Sequence, residues 1–242
     1  MIIDADKKLE HIVQTLKNTK EIAVDTEFYW MRTYYPELCL VQIATENEIF
    51  LIDTLEDLDF SKLKDIFEDT GIQKIIHSAT NDIPIIKRFF NCKVNNIFDT
   101  QLAASFLGTQ SQISLKALIK DILDIEMEKE SQFSDWRKRP LSQKQFDYAL
   151  KDVEHLIEIK HHLEEKLNQT DYKQYFYEEL LEIQKTEFNT IENIHNKIGN
   201  IQKFNEKTQK NAILVAQWRE SIAQQKNIPV RFIFDNKILY AI

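Results

Sequence analysis

Residues Ile22-Ala23-Val24-Asp25-Thr26-Glu27-Phe28 set an apolar run directly before two carboxylates. The run reads as a short strand with a buried interior. Side chains alternate faces along a strand, so Asp25 and Glu27 project the same way from its far end. A buried charge is costly unless it is paired or metal-bound. The fold must therefore bury this strand and leave its end either in solvent, where Asp and Glu cap a turn, or supplied with counter-charge. The stretch alone leaves both open.

The surrounding periodicity says what the strand belongs to. Lys7 to Asn18 reads as a helix with Leu9, Ile12, Val13 and Leu16 on one face. After the strand Glu21–Thr26, further strands are expected over Leu38–Ala44 and Ile49–Asp53, with connections short enough for an antiparallel meander. The period then changes. Helices over Phe60–Phe67, Asp82–Phe90 and Thr100–Leu107 alternate with short strands at Lys74–His77 and Asn96–Phe98. A meander followed by helix–strand alternation predicts an α/β core, a mixed five-stranded sheet flanked by helices. From Ser114 onward no strand signal remains. Ser114–Leu123 is helical, a polar loop covers Glu126–Pro140, and a long helix starts near Leu141 with Ser142 as N-cap.

Composition removes several classes. The chain of 242 residues has only three glycines, without G-x-G-x-x-G or Walker patterns, which excludes nucleotide folds of that type. No apolar run approaches the roughly 18 residues of a membrane span, and the first ten residues lack a signal peptide's apolar core. Cys39 and Cys92 lie in apolar contexts without metal spacing, as expected of packing thiols. The expectation is a soluble cytoplasmic protein with no membrane partner. The net charge of −8 argues against nucleic acid until its distribution is considered. Seven Lys/Arg (203, 207, 210, 219, 226, 231, 237) face three acids (206, 220, 235) after residue 202, so residues 1–202 carry −12.

On the helix after Ser142, Tyr148 and Asp152 stand four apart and share a face, a pattern common on any helix surface. Taken with Asp25, Glu27 and Asp82 the set means more. Asp25-Thr26-Glu27-Phe28, His77-Ser78-Ala79-Thr80-Asn81-Asp82 and Tyr148-Ala149-Leu150-Lys151-Asp152 resemble, in order, the three motifs of the DEDD family of 3′-to-5′ exonucleases, in its tyrosine subclass. Arg32-Thr33-Tyr34-Tyr35-Pro36, Phe98-Asp99-Thr100-Gln101 and Ser134-Asp135-Trp136-Arg137-Lys138-Arg139-Pro140-Leu141 are similar to stretches of the ribonuclease D branch. The resemblance covers residues 1–168.

The resemblance implies a ribonuclease H-like fold and hydrolysis of RNA from its 3′ end, releasing nucleoside 5′-monophosphates. It implies two divalent cations, Mg²⁺ or Mn²⁺, on Asp25, Glu27, Asp82 and Asp152. Asp25 would bridge them, Glu27 and Asp152 would hold the ion on the nucleophile's side, and Asp82 would support the other, partly through water. Hard cations take carboxylate oxygens, and a pair roughly 3.5–4 Å apart can both activate water and stabilise the leaving oxygen. Tyr148, with an ordinary phenol pKa near 10, would orient the attacking water. Single-stranded RNA 3′ ends, with transfer-RNA precursors among them, are the implied partners. Phe28 is the candidate to stack on the terminal base, with a core aromatic as the alternative. Lys129 and Arg137, with Lys138 and Arg139, are candidate phosphate contacts, with a solvated basic loop as the alternative. His77 is expected to be a hydrogen-bonded strand-end residue, His161 and His162 surface residues, and Asp99 and Asp135 structural.

Past Leu167, Phe176, Leu180, Ile183, Ile191, Ile194 and Ile198 keep helical spacing up to Gly199. Leu214 to Glu220 and Asn227-Ile228-Pro229 to Asp235 resemble the opening of an HRDC domain, a helical nucleic-acid-binding module of about five helices. The expected organisation is a catalytic domain over 1–168, a helical linker over 169–202 and a partial HRDC-like segment over 203–242, either shortened or degenerate. A helix of about seven residues and some 40 residues in all would not build a core. Val215, Trp218 and Ile222 would then dock elsewhere. Two rival readings stand beside the ribonuclease: a DNA exonuclease of the same superfamily and a non-catalytic RNA-binding scaffold.

Overall fold

The computed structural model describes residues 1–127, 134–188, 198, 201–203 and 205–239. Two compact units emerge. The first holds residues 1–28 and 38–186, the second residues 29–37 and 187–242.

The first unit is built on a mixed sheet. Its strands are β1 (Ile2–Ile3), β2 (Glu21–Tyr29), β3 (Glu37–Ala44), β4 (Ile49–Asp53), β5 (Gln73–Ile76) and β6 (Ile97–Asp99), in the order β1-β4-β3-β2-β5-β6. The five expected strands are present with a sixth, β1, at the edge. Two residues are too few for a periodic signal, but Ile3 is fully buried and pairs in parallel with Ile52. β3 and β4 form the antiparallel hairpin, closed by Thr45, whose N–H donates to the Glu48 carbonyl at 2.9 Å. β5 pairs in parallel with both β2 and β6. Apart from Glu37, every residue of β3 is buried, as a central strand covered on both sides requires.

Helices α1 (Asp6–Leu16), α2 (Ser61–Glu68) and α3 (Asp82–Phe90) pack in series. α1 buries the four residues of its periodic stripe, Leu9, Ile12, Val13 and Leu16. α4 (Thr100–Phe106) and α5 (Leu115–Leu123) pack against α7 (Leu156–Leu167). α6 (Gln143–Glu154), α7 and α8 (Lys173–Lys185) rest on β4, β5 and β6 respectively. α8, which falls in the stretch expected to be a linker, is thus part of the first unit. Its Phe176 is fully buried, 5.1 Å from Phe98 and 6.0 Å from Phe106 between ring centroids.

The second unit also departs from expectation. α9 (Glu206–Lys226) runs for 21 residues, not about seven. Asn205 caps its start by accepting from the Thr208 N–H at 2.9 Å, and Asn227 ends it in the left-handed region at φ 47°. No Gly or Pro interrupts it. A small core of Ile198, Ala216 and Leu239, the last from α10 (Asn236–Leu239), gathers Ile201, Ile213, Val215 and Phe234 around it. Trp218 does not enter that core. It is exposed and stacks on Phe234 at 6.4 Å. Ile191, Ile194 and Gly199 lie outside the described residues. Among the described residues no helix is long and apolar enough to cross a membrane. Cys39 and Cys92 form no disulfide, and burial pushes Cys92 up to about 12.

Candidate active site

Parallel strands bring the candidate residues to one edge of the sheet. Ala23, Ile75 and Phe98 stand level across β2, β5 and β6, and Asp25, His77 and Thr100 follow two residues further on. Open α/β sheets gather their chemistry outside such carboxyl ends. His77 is held there at both nitrogens. Nε2 lies 3.0 Å from the Ile113 carbonyl and must donate, leaving Nδ1 to accept from the Thr100 hydroxyl at 2.9 Å. Burial lowers its pKa, which favours the neutral ring this pairing needs. It is the hydrogen-bonded strand-end residue expected.

From β5 the chain turns through residues 77–81 into α3, whose first residue is Asp82. Ser78 adopts a left-handed conformation, φ 64°, uncommon outside glycine. Asp99 braces that turn. Its Oδ1 accepts from the Ser78 N–H at 3.2 Å and its Oδ2 from the Ala79 N–H at 2.8 Å. Oδ1 also accepts from the Gln101 and Leu102 N–H groups at 2.8 and 3.1 Å, capping α4.

α6 supplies the remaining residues. It opens with a capping box: the Ser142 hydroxyl accepts from the Gln145 N–H, and the Gln145 side chain accepts from the Ser142 N–H at 3.0 Å. Gln145, Ala149 and Val153 form its buried stripe. Tyr148 and Asp152, about 100° around the helix from that stripe, are half-buried.

Asp25, Glu27 and Asp152 converge, each with an oxygen within 4.8 Å of the others. Asp82 is not in this triplet, but its charge bears on both Asp25 and Glu27. It is buried, and its Oδ1 accepts a hydrogen bond from the hydroxyl of Thr26. Burial, then the charge of Asp152, then that of Asp82, pushes Glu27 up to about 9. Burial and the charges of Asp152, Asp82 and Glu27 raise Asp25 well above the carboxylate range. Burial raises Asp82 to about 7, against the pull of the Thr26 hydroxyl and with Asp99 adding to the rise.

The charges raising Asp25 and Glu27 are all carboxylates, so their ionised form calls for a cation. The donor set is hard oxygen, which fits Mg²⁺ or Mn²⁺ and does not fit a soft metal. Asp25, Glu27 and Asp152 together could hold one divalent ion. Asp82 stands beside them as a further donor.

The structure places the other sequence candidates as follows. Phe28 is half-buried next to Glu27. Arg137 is exposed, its guanidinium on both oxygens of Asp135 at 3.0 and 3.1 Å. Lys129 lies outside the described residues. Arg139, grouped with Arg137 as a phosphate contact, is instead a structural residue. Its guanidinium is bound to Asp53 and to the carbonyls of Cys39 and Trp136. His161 is exposed as expected, yet it pairs with Glu21 at 2.5 Å beside buried Lys160. Sequence reasoning missed Thr26, whose partner lies 56 residues away, and gave Asp99 no more than a structural label. The bracing of the turn before Asp82 is what that label left out.

The 3′-5′ exonuclease family matches residues 1–168 of the chain. Ribonuclease D of Desulfotalea psychrophila is 36% identical over 245 residues, covering 100% of this chain and 66% of that protein. Ribonuclease D of Bartonella henselae is 33% identical, covering 100% of this chain and 60% of its own length. The chain thus spans less than two thirds of these curated relatives. Among solved structures, Escherichia coli RNase D, described as an exoribonuclease involved in structured RNA processing, superposes with a TM-score of 0.91 at 27% identity, over 100% of this chain and 65% of that one. The catalytic core of RRP6 from Trypanosoma brucei shares the fold, with a TM-score of 0.77 at 22% identity over 99% and 68%.

Proposed function

The chain belongs to the 3′-5′ exonuclease family, and from that premise we propose that it is a ribonuclease D-like exoribonuclease. It removes nucleotides from the 3′ end of RNA by hydrolysis. The observation that carries this reading is the convergence of Asp25, Glu27 and Asp152, with Asp82 close enough to raise two of them.

Each turnover adds one water across the terminal phosphodiester. A bond forms between the water oxygen and phosphorus, and the bond from phosphorus to the 3′ oxygen of the preceding nucleotide breaks. A nucleoside 5′-monophosphate leaves, and the shortened strand keeps a 3′-hydroxyl. Two divalent cations, Mg²⁺ or Mn²⁺, supply when bound a hydroxide at neutral pH and stabilisation of the oxygen charges. Asp25, Glu27 and Asp152 would hold one of them, and Asp82, with Asp25, would hold the other. Tyr148 hydrogen-bonds the attacking water and points it at phosphorus. Phe28 offers its ring to the terminal base, and Arg137 and Lys129 offer cationic contacts to the backbone. Single-stranded 3′ ends, including those of transfer-RNA precursors, are the substrates, met in the cytoplasm.

The test follows shortening of RNA and DNA with matched 3′ overhangs and a 5′ label, with Mg²⁺ or Mn²⁺, beside Asp25→Asn. Stepwise loss from the 3′ end of the RNA, release of 5′-monophosphates and an inert Asp25→Asn are expected. Preference for the DNA would move the protein to another branch of the family. Full activity of Asp25→Asn would remove the two-cation assignment.

A further inference from the structure

Asp82 stands outside the oxygen triplet, yet it is anchored from two sides by residues that the proposed chemistry does not use. Thr26 lies between Asp25 and Glu27 on β2, so its side chain leaves the opposite face of the strand. It is buried, and its hydroxyl donates to Oδ1 of Asp82. Valine has the same shape and suits a buried strand better, so the hydroxyl at this position is explained by its partner. On the other side, Asp99 accepts the N–H groups of Ser78 and Ala79 and thereby fixes the turn before α3. The first bond of that helix runs from the Ile83 N–H back to the Ala79 carbonyl at 3.0 Å. Side chain and backbone of Asp82 are thus each held by a separate carboxylate or hydroxyl.

We propose that Thr26 and Asp99 are positioning residues for Asp82, and that they set the affinity of the second of two divalent cations while leaving the Asp25, Glu27 and Asp152 set unaffected. The proposal rests on the two-cation reading given above and assigns a task to two side chains outside the triplet. A merely structural role would lower stability and weaken both cations alike. A positioning role separates them.

The chemistry supplies graded variants. Thr26→Val keeps shape and removes the donor; Thr26→Ser keeps the donor. Asp99→Asn retains one acceptor oxygen for the Ser78, Gln101 and Leu102 N–H groups and turns an NH₂ toward the Ala79 N–H, because Oδ2 is the atom that served it. Asn is as good a helix cap as Asp. The substitution therefore removes the Ala79 bond, the shorter of the two to the turn before Asp82, and spares α4.

Mn²⁺ binding to the full chain, followed by titration calorimetry and by the electron-spin signal of free Mn²⁺, decides the matter. The unsubstituted chain is expected to take up two ions. In Thr26→Val and Asp99→Asn the tighter ion stays within about twofold, while the weaker one loosens about tenfold, the scale of one hydrogen bond to a charged group. Thr26→Ser should return to within about twofold of the unsubstituted chain. Thr26→Val binding both ions normally, or losing both to the same degree, overturns the proposal. If Asp99→Asn does not fold, the Thr26 pair decides alone. An unsubstituted chain that binds fewer than two ions overturns the two-cation reading itself, and the positioning role with it.

Discussion

Arg139 donates Nη2–H to Oδ1 of Asp53 at 2.6 Å and Nε–H to Oδ2, a two-pronged pair between positions 86 apart in the chain. The Asp53 side chain is 6% exposed. The same guanidinium donates to the carbonyls of Cys39 on β3 and Trp136, at 2.8 and 2.7 Å. It therefore ties the segment that leads into α6 to the sheet that carries Asp25 and Glu27. Removing one partner of a buried pair strands the other's charge. Arg139→Ala should destabilise the fold by about 3–5 kcal/mol. Denaturant unfolding measures this, and Arg139→Lys should recover only part of it, since an ammonium cannot reproduce the fork.

The metal-free protein should lose stability as pH rises. Asp25, Glu27 and Asp82 have folded-state pKa values above those of an unfolded carboxylate, with Glu27 at about 9 and Asp82 at about 7. The stability they contribute is full below about pH 4, where both states are protonated. It falls as pH climbs through 7 toward 9. His77, which burial lowers, and Lys74, which burial brings down to about 8, run the other way as pH rises, but the three raised carboxylates outnumber them. Thermal melts without metal should decline between pH 5 and pH 8. Saturating Mn²⁺ should flatten the decline, because it binds the ionised form. Glu27→Gln should raise the metal-free melting temperature at pH 8 and leave it nearly unchanged at pH 5.

The carboxylates were legible in the sequence because each lies at a local landmark: a strand end, the start of a helix, one turn after a tyrosine. The five longer strands and helices α1 to α6 followed from periodicity and capping, which are local properties. What escaped is long-range. Thr26 reads as a β-branched strand residue, and only a partner 56 positions away gives its hydroxyl a task. Arg139 sits in a run of three basic residues that looks like a phosphate contact until Asp53 is found against it. β1 has two residues, below any period. The length of α9 was hidden because its apolar residues form no single stripe and its N-cap, Asn205, lies ahead of the HRDC-like stretch that begins at Leu214. Similarly, Arg32-Thr33-Tyr34-Tyr35-Pro36 was recognised as a family stretch with no task attached. Its backbone N–H groups at Tyr34 and Tyr35 donate to Oδ1 of Asn227 at 3.2 and 3.1 Å.

Tyr34 carries a prediction of its own. Its hydroxyl donates to Glu220, which is 3% exposed, and accepts from Gln224 Nε2 at 3.2 Å. Burial, reinforced by the bond to Glu220, raises the phenol pKa and keeps the proton in place. Tyr34→Phe leaves a buried carboxylate short of a donor and should destabilise the protein by about 1–3 kcal/mol. Chemical denaturation of Tyr34→Phe, Glu220→Gln and the double variant forms a cycle. If the two side chains act through this bond, the double variant should be more stable than the sum of the single effects.

The capping box makes a smaller, separable claim. Ser142→Ala removes the acceptor for the Gln145 N–H and should cost about 1 kcal/mol. Because α6 carries both Tyr148 and Asp152, hydrogen exchange should quicken over its first turn and remain slow at Val153, which is buried.

Tyr148 separates binding from chemistry. Its ring centroid lies 6.1 Å from that of Trp136. Tyr148→Phe keeps that ring contact and should stay folded. The carboxylates stay in place, so the Mn²⁺ isotherm should be unchanged, and single-stranded RNA should bind with unchanged affinity. Only the orientation of the attacking water is lost, and kcat should drop about a hundredfold with KM nearly constant. An equal fall in Mn²⁺ affinity would make Tyr148 part of the cation site. An unchanged kcat would leave the phenol without a part in hydrolysis.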